Sequence, residues 1–273
     1  MRQLVKRSPL GPLAAFQARA RLVTSHQWRQ TKKSWRWLVG SHEYTNFTYE
    51  LTDENVVEMA WFVAAVAGLG FDESLGYIEE LHGDDALRDH LRRAVAESPL
   101  RRVMDPEPRY GRRAAWYAIV RATRPRHVVE TGVDKGLGSC VFAAALLRNA
   151  DEGYPGQLTA LDVNHDAGAL IGGKYASVIN LRFGDSIAIL SALTSPVDLF
   201  LHDSDHRYEH ESAEYCTVAG SLAESALVMT DNGGLALSDY AKSNCRRFLI
   251  FREVPADHWK PGGVLGVAMH VSQ

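Results

Sequence analysis

The second half of the chain alternates short β-branched runs with stretches of helical length that are rich in alanine and leucine. The runs read HVVETG, QLTALDVN, VINLRFGD, VDLFLHD and ALVMTDN, in that order. Strands that alternate with helical segments at this spacing predict βαβ units and a mostly parallel, doubly wound sheet. Two further strand candidates, RRFLIFREV and GGVLGVAMHV, lie too close together for a helical crossover, which indicates a C-terminal antiparallel hairpin at the edge of the sheet. The fold class is therefore α/β.

The polar residues of these runs fall at the strand ends. Each of the five runs has a carboxylate at or close to its end, and in order these are Glu130, Asp162, Asp185, Asp203 and Asp231. A single acid after a strand is often a turn former or a helix cap. Ligands of open parallel sheets bind at the carboxyl ends of the strands. Five acids in register therefore predict one shared binding site.

The glycine-rich loop after the first run narrows the choice of cofactor. Glycines at 132, 136 and 138 let a ligand approach the backbone, but their spacing is not the G-x-G-x-x-G of dinucleotide-binding proteins. Asp134 would repel a pyrophosphate and favour a cation, and S-adenosylmethionine carries a sulfonium and an ammonium without a phosphate. Asp162 suits the two ribose hydroxyls, and Asp185 suits the adenine amino group.

With these residues, positions 110–273 resemble the class I S-adenosylmethionine-dependent methyltransferases. The resemblance implies a Rossmann-like, seven-stranded sheet that ends in a β-hairpin. It also implies that S-adenosylmethionine is the cofactor. The cofactor contacts expected are Glu130, Gly132, Asp134, Gly136, Ser139, Asp162, Asp185 and Ser186.

The fourth run continues into DLFLHDSDHRYE, which is similar to the D-x-D-H-x-Y signature of a methyltransferase subgroup that includes sugar and macrolide O-methyltransferases. The segment also resembles the metal-dependent catechol-type enzymes, which place one metal-binding Asp here and an Asp-Asn pair after the next strand. In this chain the resemblance assigns metal binding to Asp203, Asp231 and Asn232, and the Asp-Asn pair begins 28 residues after Asp203. Three oxygen ligands suit Mg²⁺ or another divalent cation.

His206 is the candidate general base, because an imidazole three residues past Asp203 can take a proton from a hydroxyl near neutral pH. The catechol-type enzymes carry lysine at this position, so the histidine favours an alcohol or sugar hydroxyl. We therefore predict a metal-assisted O-methyltransferase for a small hydroxylated metabolite, such as a glycoside or polyketide natural product.

Two other classes of function stay open. If His202, His206 and His210 formed a helical stripe they could bind zinc or another transition metal, as in a hydrolase or oxygenase. However, His202 belongs to the strand and is expected to point away from the site if Asp203 points into it. The other alternative is a non-catalytic nucleoside-binding or partner-binding module.

Residues 1–40 carry nine Lys or Arg and no Asp or Glu, although the formal net charge of the whole chain is −3. We predict a basic arm over 1–40, broken early by Pro9 and Pro12, a helical lid or substrate region over 41–109, and the methyltransferase domain over 110–273. The arm is expected to dock on the acidic body or to form a homo-oligomer contact. Membrane and nucleic-acid contacts are the alternatives, with nucleic acid disfavoured.

Within the helical region, Thr52, Asp72 and Asp84 are expected to cap helices. The aromatic residues Tyr44, Phe47 and Tyr49 belong either to the acceptor pocket or to the core. The hairpin loop over 257–261 either lines the site or forms a turn anchored by tryptophan.

Composition limits the remaining choices. The longest apolar stretch, Met59 to Phe71, is shorter than the roughly 20 residues that a membrane span needs, so no transmembrane segment is expected. The 3 cysteines lack C-x-x-C spacing and indicate free thiols in a reducing compartment. A cytoplasmic location is therefore expected.

Overall fold

A computed structural model of the protein describes residues 11–44 and 47–270. Pro9, the start of the basic arm and the last three residues of the predicted domain lie outside this part of the chain. Within it, seven strands form one sheet in the order β3-β2-β1-β4-β5-β7-β6. The strands are β1 (His127–Thr131), β2 (Gln157–Asp162), β3 (Ile179–Phe183), β4 (Val197–His202), β5 (Leu222–Thr230), β6 (Arg247–Arg252) and β7 (Val264–Met269). The predicted Rossmann-like α/β fold is confirmed.

The strand directions explain where a site can form. Strands β1 to β5 pair in parallel, whereas β7 runs antiparallel to both β5 and β6. The predicted hairpin at the edge of the sheet is thus confirmed. Because β6 is antiparallel to β7, it points the same way as the five parallel strands, and its carboxyl end reaches the same edge of the sheet.

Helices cover both faces of the sheet. They are α1 (Gly11–Gly40), α2 (Asp53–Ala67), α3 (Phe71–His82), α4 (Asp85–Glu97), α5 (Arg113–Thr123), α6 (Leu137–Asp151), α7 (Ser186–Ser191), α8 (Tyr208–Val218) and α9 (Leu235–Ser243). Neighbouring strand residues face opposite sides: Val128 packs in one hydrophobic core and Val129 in the other. Strands buried on both sides read as continuous apolar runs, as the sequence shows.

Local capping sets the helix starts in the N-terminal region. The Thr52 hydroxyl accepts a hydrogen bond from the Asn55 N–H at 3.3 Å, and the Asp84 carboxylate accepts one from the Leu87 N–H at 2.9 Å. Both predicted caps are confirmed. The cap expected at Asp72 is wrong, because α3 begins at Phe71 and Asp72 lies in its first turn, where an acid still favours the helix dipole.

The helical region shares its core with the sheet. Helices α2 and α3 pack on α5, and one hydrophobic core extends from Tyr49 to Met269. By contrast, α1 has no buried residue. Its last turns contact the loop between β6 and β7: the Lys33 ammonium donates to the Ala256 carbonyl at 3.1 Å, and the Trp37 ring lies 5.4 Å from that of Trp259.

Among the described residues, no single helix is both long and apolar enough to cross a membrane. The segments Asp53–Ala67 and Phe71–Glu97, bent by 115°, meet the length and composition test only when taken together. Their large apolar side chains include Met59, Ile78 and Leu81, which are fully buried in the protein core. All three cysteines are free, as predicted.

Candidate functional site

A cleft of about 750 Å³ opens at the carboxyl ends of the parallel strands. It is lined by nine of the predicted site residues, namely Glu130, Gly132, Asp134, Asp162, Asp185, Ser186, Asp203, His206 and Asp231. Gly136, Ser139 and Asn232 lie outside this lining. The five strand-end acids therefore meet at one cleft, as the sequence predicts.

Gly132 brings the ends of β1 and β4 together. Its φ is +87°, and a Cβ at this position would lie 2.0 Å from the Asp203 carbonyl oxygen. Next to it, the Asp203 N–H donates to the Thr131 carbonyl at 2.8 Å. Since no other residue type fits this approach, the glycine fixes how the loop after β1 meets the backbone of Asp203 at the end of β4.

Asp162 holds that loop from the end of β2. One carboxylate oxygen accepts hydrogen bonds from the N–H groups of Val133 and Asp134 at 2.9 and 3.0 Å, and the other accepts from the Asn164 N–H at 2.8 Å. The carboxylate thus shapes the cleft with backbone donors while it faces the cavity. Its predicted role with ribose hydroxyls stays a prediction.

Glu130 is the buried acid of the first strand end. It is 1% exposed and accepts a hydrogen bond from the Ser139 hydroxyl at 2.5 Å. Burial raises the pKa of Glu130 to about 8, despite the Ser139 bond and the charge of Arg113. At neutral pH the carboxyl is therefore mostly uncharged, and a cationic ligand would favour its ionised form.

The glycines of this loop divide their roles. Gly138 lines the cleft, and a Cβ there would lie 2.8 Å from a Glu130 carboxylate oxygen. Gly136 instead faces the segment after β2, where a Cβ would lie 2.9 Å from the Ile171 side chain. Gly136 and the buried Ser139 therefore support the loop from behind, and their predicted cofactor contacts stay predictions.

At the end of β3, Asp185 caps α7 by accepting a hydrogen bond from the Ala188 N–H at 2.8 Å. Its side chain is exposed at the cleft, as the adenine prediction needs. Ser186 is buried and donates to Glu214 at 2.5 Å. The three strand ends β1, β2 and β3 therefore place a continuous acidic edge on one side of the cleft.

Three titratable side chains meet on the other side. Ligand atoms of Asp203, His206 and Asp231 lie within 4.8 Å of one another, and His206 Nε2 is 3.7 Å from an Asp203 carboxylate oxygen. Two carboxylates and an imidazole form a donor set that a divalent cation can use. Asn232 is exposed and lies outside the cleft lining. His206 is the third member of this cluster, and the predicted ligand role of Asn232 stays a prediction.

Comparison with known proteins agrees with this geometry. A family model described as a methyltransferase domain matches residues 129–233. The part of the chain that holds β2 to β5 and most of β1 is therefore similar to a methyltransferase domain. None of the curated proteins compared with the chain matches it.

Two solved structures show the same fold. The O-methyltransferase TomG from Streptomyces achromogenes, involved in tomaymycin synthesis and solved in complex with SAM, is 16% identical, with a TM-score of 0.50 over 69% of this chain and 91% of TomG. Cofactor-bound Rv0187 from MTB is 20% identical, with a TM-score of 0.52 over 68% of this chain and 90% of that one. At 16% and 20% identity, these two likenesses show a shared fold and nothing more.

Arg112, which the sequence analysis did not single out, lines the same cleft as Asp203 and Asp231. Its guanidinium makes a bidentate ion pair with Asp231 and a second ion pair with Glu253 at 2.7 Å. Glu253 is fully buried and also accepts from the Tyr49 hydroxyl at 2.6 Å. Glu253 follows β6, so the strand-end rule that found the other acids would have found it, had it been applied to the sixth strand.

Charge and burial set opposite pKa shifts on the two aspartates. Burial and the neighbouring Asp231 raise the pKa of Asp203 well above its ordinary value. Burial also disfavours the Asp231 carboxylate, but the charge and hydrogen bonds of Arg112, the charge of Arg113 and the hydrogen bond with Asp203 together outweigh it and lower the pKa of Asp231. A proton on Asp203 therefore lies in the hydrogen bond between the two carboxyls. Burial, together with His202, lowers the pKa of His206, so its imidazole is neutral at pH 7.

The histidine stripe does not form a metal site in the described residues. His202 is buried, and its Nδ1 lies 2.7 Å from a Glu214 oxygen, while His210 Nε2 lies 3.1 Å from the other oxygen of Glu214. His202 thus contacts Glu214 and lies outside the cleft lining, although its ring is 5.4 Å from that of His206. His202 and His210 both contact Glu214. The geometry therefore gives no support to the alternative in which His202, His206 and His210 together bind a metal.

Glu214 was also missed by the sequence analysis. Its carboxylate accepts from the hydroxyls of Thr131, Ser186 and Ser204 at 2.6, 2.5 and 2.9 Å, in addition to His202. Burial opposes its charge, but these hydrogen bonds outweigh it and lower the pKa of Glu214 to about 2. Glu214 therefore ties the ends of β1 and β4 to the start of α7. Nothing in the spacing of a helical glutamate distinguishes such a residue.

The N-terminal region closes the cleft. Phe47 and Tyr49 line it together with Lys260 from the β6–β7 loop, whereas Tyr44 is 67% exposed and lies outside the lining. Tyr49 also belongs to the core, so both interpretations of this residue hold. The loop between β6 and β7 lines the site through Lys260 and is anchored by Trp259, which packs on Trp37.

Proposed function

We propose that the chain is an S-adenosylmethionine-dependent O-methyltransferase that acts on a hydroxyl group of a small metabolite. One observation carries the proposal: the acidic edge formed at β1, β2 and β3 opens into the same cleft as the cluster of Asp203, His206 and Asp231. A cationic cofactor and a proton-accepting group can therefore reach one another.

The first side of the cleft suits the cofactor. Glu130 lies where an ammonium would restore its charge, Asp162 can accept from the ribose hydroxyls, and Asp185 can accept from the adenine amino group. Acids that accept hydrogen bonds from backbone N–H groups keep their charge available to a cationic ligand. S-adenosylmethionine supplies an electrophilic methyl group when it is bound.

The second side suits a hydroxylated acceptor. Phe47 and Tyr49 offer aromatic faces to a ring, and Lys260 adds a donor at the rim. Glycosides and polyketides combine such a ring surface with hydroxyl groups, and we propose these classes as acceptors. The partner of the site is then a small molecule.

His206 acts as the general base in this proposal. Its neutral imidazole takes the proton of the acceptor hydroxyl while the hydroxyl oxygen attacks the methyl carbon. The new bond joins oxygen to carbon, the carbon–sulfur bond breaks, and its electron pair stays on sulfur as a neutral thioether. Asp203, 3.7 Å from His206, shares one negative charge with Asp231, and this charge stabilises the imidazole once it is protonated.

A divalent cation, Mg²⁺ or another, belongs to the proposal as well. Asp203 and Asp231 would hold it, while His206 beside them stays uncoordinated as the base, and a bound cation lowers the pKa of a hydroxyl that contacts it. Arg112 competes for Asp231, so the donor set fits a cation fully only when this guanidinium releases the carboxylate. Asn232 stays a predicted ligand outside the cluster.

Methyl transfer from labelled S-adenosylmethionine to a panel of catechols, glycosides and polyketides tests the function. We expect label on an oxygen of a glycoside or polyketide, and loss of turnover on chelation with cofactor affinity largely kept. Label on nitrogen or carbon, or no transfer to any hydroxyl while the cofactor binds, would contradict O-methylation. Full activity after exhaustive chelation would remove the cation from the proposal.

A further inference from the structure

Helix α1 differs from the rest of the described chain because it buries none of its side chains. It has 30 residues, which gives a length of about 45 Å. Only its last turns contact the body of the protein. A long helix that stays uncovered exposes whatever pattern its sequence carries.

That pattern is an apolar stripe. Leu13, Phe16, Val23, Trp35 and Leu38 follow helical spacing along one side, and each is more than half exposed. The exposed Trp28 and Val39 lie at the border of this stripe, and Leu22 lies on the other side of the helix. The residues that hold α1 to the body, Lys33 and Arg36 with the Trp37 ring, come from the opposite side of the helix. The stripe therefore faces away from the methyltransferase domain.

Charge is the second observation. Within α1 there are six cations and no acid. Arg19 and Arg21 stand on either side of Ala20 in the stripe, and Lys32 follows Thr31 on it, so these cations border the apolar side chains. Tryptophan and phenylalanine on one face with lysine and arginine at its borders are typical of helices that lie in a membrane interface.

We propose that α1 binds an anionic lipid surface, with the apolar stripe inserted among the headgroups. Pairing of the stripe with a second copy of α1 would bring together twelve cations without any acid on either helix. Binding of nucleic acid would use the cations and leave the stripe in water. An anionic lipid surface satisfies both features at once.

Vesicle flotation of the full chain tests this, with phosphatidylcholine vesicles that contain or lack phosphatidylglycerol. We expect binding only with phosphatidylglycerol and weaker binding at high salt. Trp35→Glu should weaken it by more than about tenfold, because it removes apolar burial and adds repulsion. Arg21→Gln and Lys32→Gln should each weaken it about fivefold.

Trp61→Glu is the matched control, because Trp61 is 60% exposed on α2, outside the stripe. It should leave vesicle binding unchanged, and thermal unfolding should show that all variants are folded. The proposal is overturned if the wild type does not float, or if Trp61→Glu and Trp35→Glu act alike. It is also overturned if Trp35→Glu converts a lipid-free dimer into a monomer, or if a single-stranded oligonucleotide binds in preference to the vesicles.

Discussion

The two sides of the cleft hold their acids in different ways. At the ends of β1 and β2, Glu130 and Asp162 accept hydrogen bonds from a hydroxyl and from backbone N–H groups. Across the cleft, Asp231 and Glu253 face the guanidinium of Arg112. On the first side Glu130 is mostly protonated until a cationic ligand favours its charge, whereas on the second side the acids balance their charge against Arg112 within the protein.

From this difference we infer that the first side of the cleft binds the cofactor and that the second side handles the proton of the acceptor hydroxyl. A cofactor with two positive groups is expected to gain most on the first side, where Glu130 can take up a negative charge and Asp162 accepts from backbone N–H groups. The other side must keep a buried network intact while it handles a hydroxyl proton. Changes on the first side should therefore alter cofactor affinity, and changes on the second should alter stability, cation binding and turnover.

The largest effect is expected where the two sides meet. Gly132→Ala would place a Cβ against the Asp203 backbone, so we expect a loss of more than about 4 kcal/mol of unfolding free energy and no cofactor binding. Gly153→Ala is the control, because Gly153 has a similar φ of +90° and nothing within 4 Å. It should lose only about 1–2 kcal/mol. Equal urea midpoints for the two variants would contradict the claim that the close approach of Gly132 to Asp203 joins the two sides of the cleft.

The ion pairs of the second side come next. Arg112→Met leaves Asp231 and Glu253 without their cation, and we expect it to lower the unfolding free energy by about 3–5 kcal/mol. It should also tighten Mn²⁺ binding, measured by electron paramagnetic resonance, because the competitor for Asp231 is gone. Arg92→Met removes a solvent-exposed ion pair with Glu107 and should change the unfolding free energy much less than Arg112→Met. Weaker Mn²⁺ binding in a folded Arg112→Met protein would contradict the competition.

Removal of the base should separate chemistry from cofactor binding. We expect His206→Gln to lower kcat by about 100-fold or more, since proton transfer by a positioned side chain contributes at least this much. The dissociation constant for S-adenosylhomocysteine should stay unchanged. His26→Gln, at an exposed position of α1, serves as the control for a lost imidazole. An unchanged kcat in His206→Gln would remove its catalytic role.

Glu130 predicts a pH dependence of stability on the first side. Its pKa rises from 4.5 to about 8 on folding, so the native state holds the proton after the unfolded chain has lost it. The unfolding free energy should therefore fall as pH rises through this window, by up to about 1.4 kcal/mol per pH unit. Glu130→Gln should flatten the slope in urea titrations, whereas Glu209→Gln at an exposed site should not. A slope that Glu130→Gln leaves unchanged would mean that Glu130 is ionised in the folded protein.

The smallest effect is expected at Asp185. Asp185→Ala should lose about 1 kcal/mol of stability with the α7 cap, and Asp185→Asn should keep it, because asparagine caps helices as well. If Asp185 also accepts from the adenine amino group, both variants should bind S-adenosylhomocysteine about fivefold more weakly. Unchanged affinity in both would limit Asp185 to capping.

The sequence predicted the two sides unequally, for a physical reason. An acid directly after an apolar run marks the end of a strand, and parallel strands end at one edge, so Asp162 and Asp203 could be placed together without coordinates. The partners of those acids come from distant segments. Arg112 lies directly before α5, which precedes β1 in the chain, whereas Asp231 follows β5. No local sequence pattern shows that the Arg112 guanidinium reaches Asp231.

The sequence also does not show which way a loop glycine or a residue of a short helix faces. The loop at 132–138 was predicted as a ligand loop, but only packing decides that Gly138 faces the cleft while Gly136 faces Ile171. Glu211, an acid in the first turn of α8, is 2% exposed and accepts from the Tyr215 hydroxyl at 2.5 Å. Which face of a short helix is buried depends on the neighbours that cover it.

Calorimetric titration of S-adenosylhomocysteine into the wild type, Asp162→Asn and Asp203→Asn tests the separation of the two sides most directly. An amide can accept on one side only, whereas the Asp162 carboxylate accepts on both, so Asp162→Asn should weaken binding by at least about tenfold. Asp203→Asn should bind as tightly as the wild type, with or without Mg²⁺. Undiminished affinity in Asp162→Asn, or lost affinity in Asp203→Asn, would contradict the account.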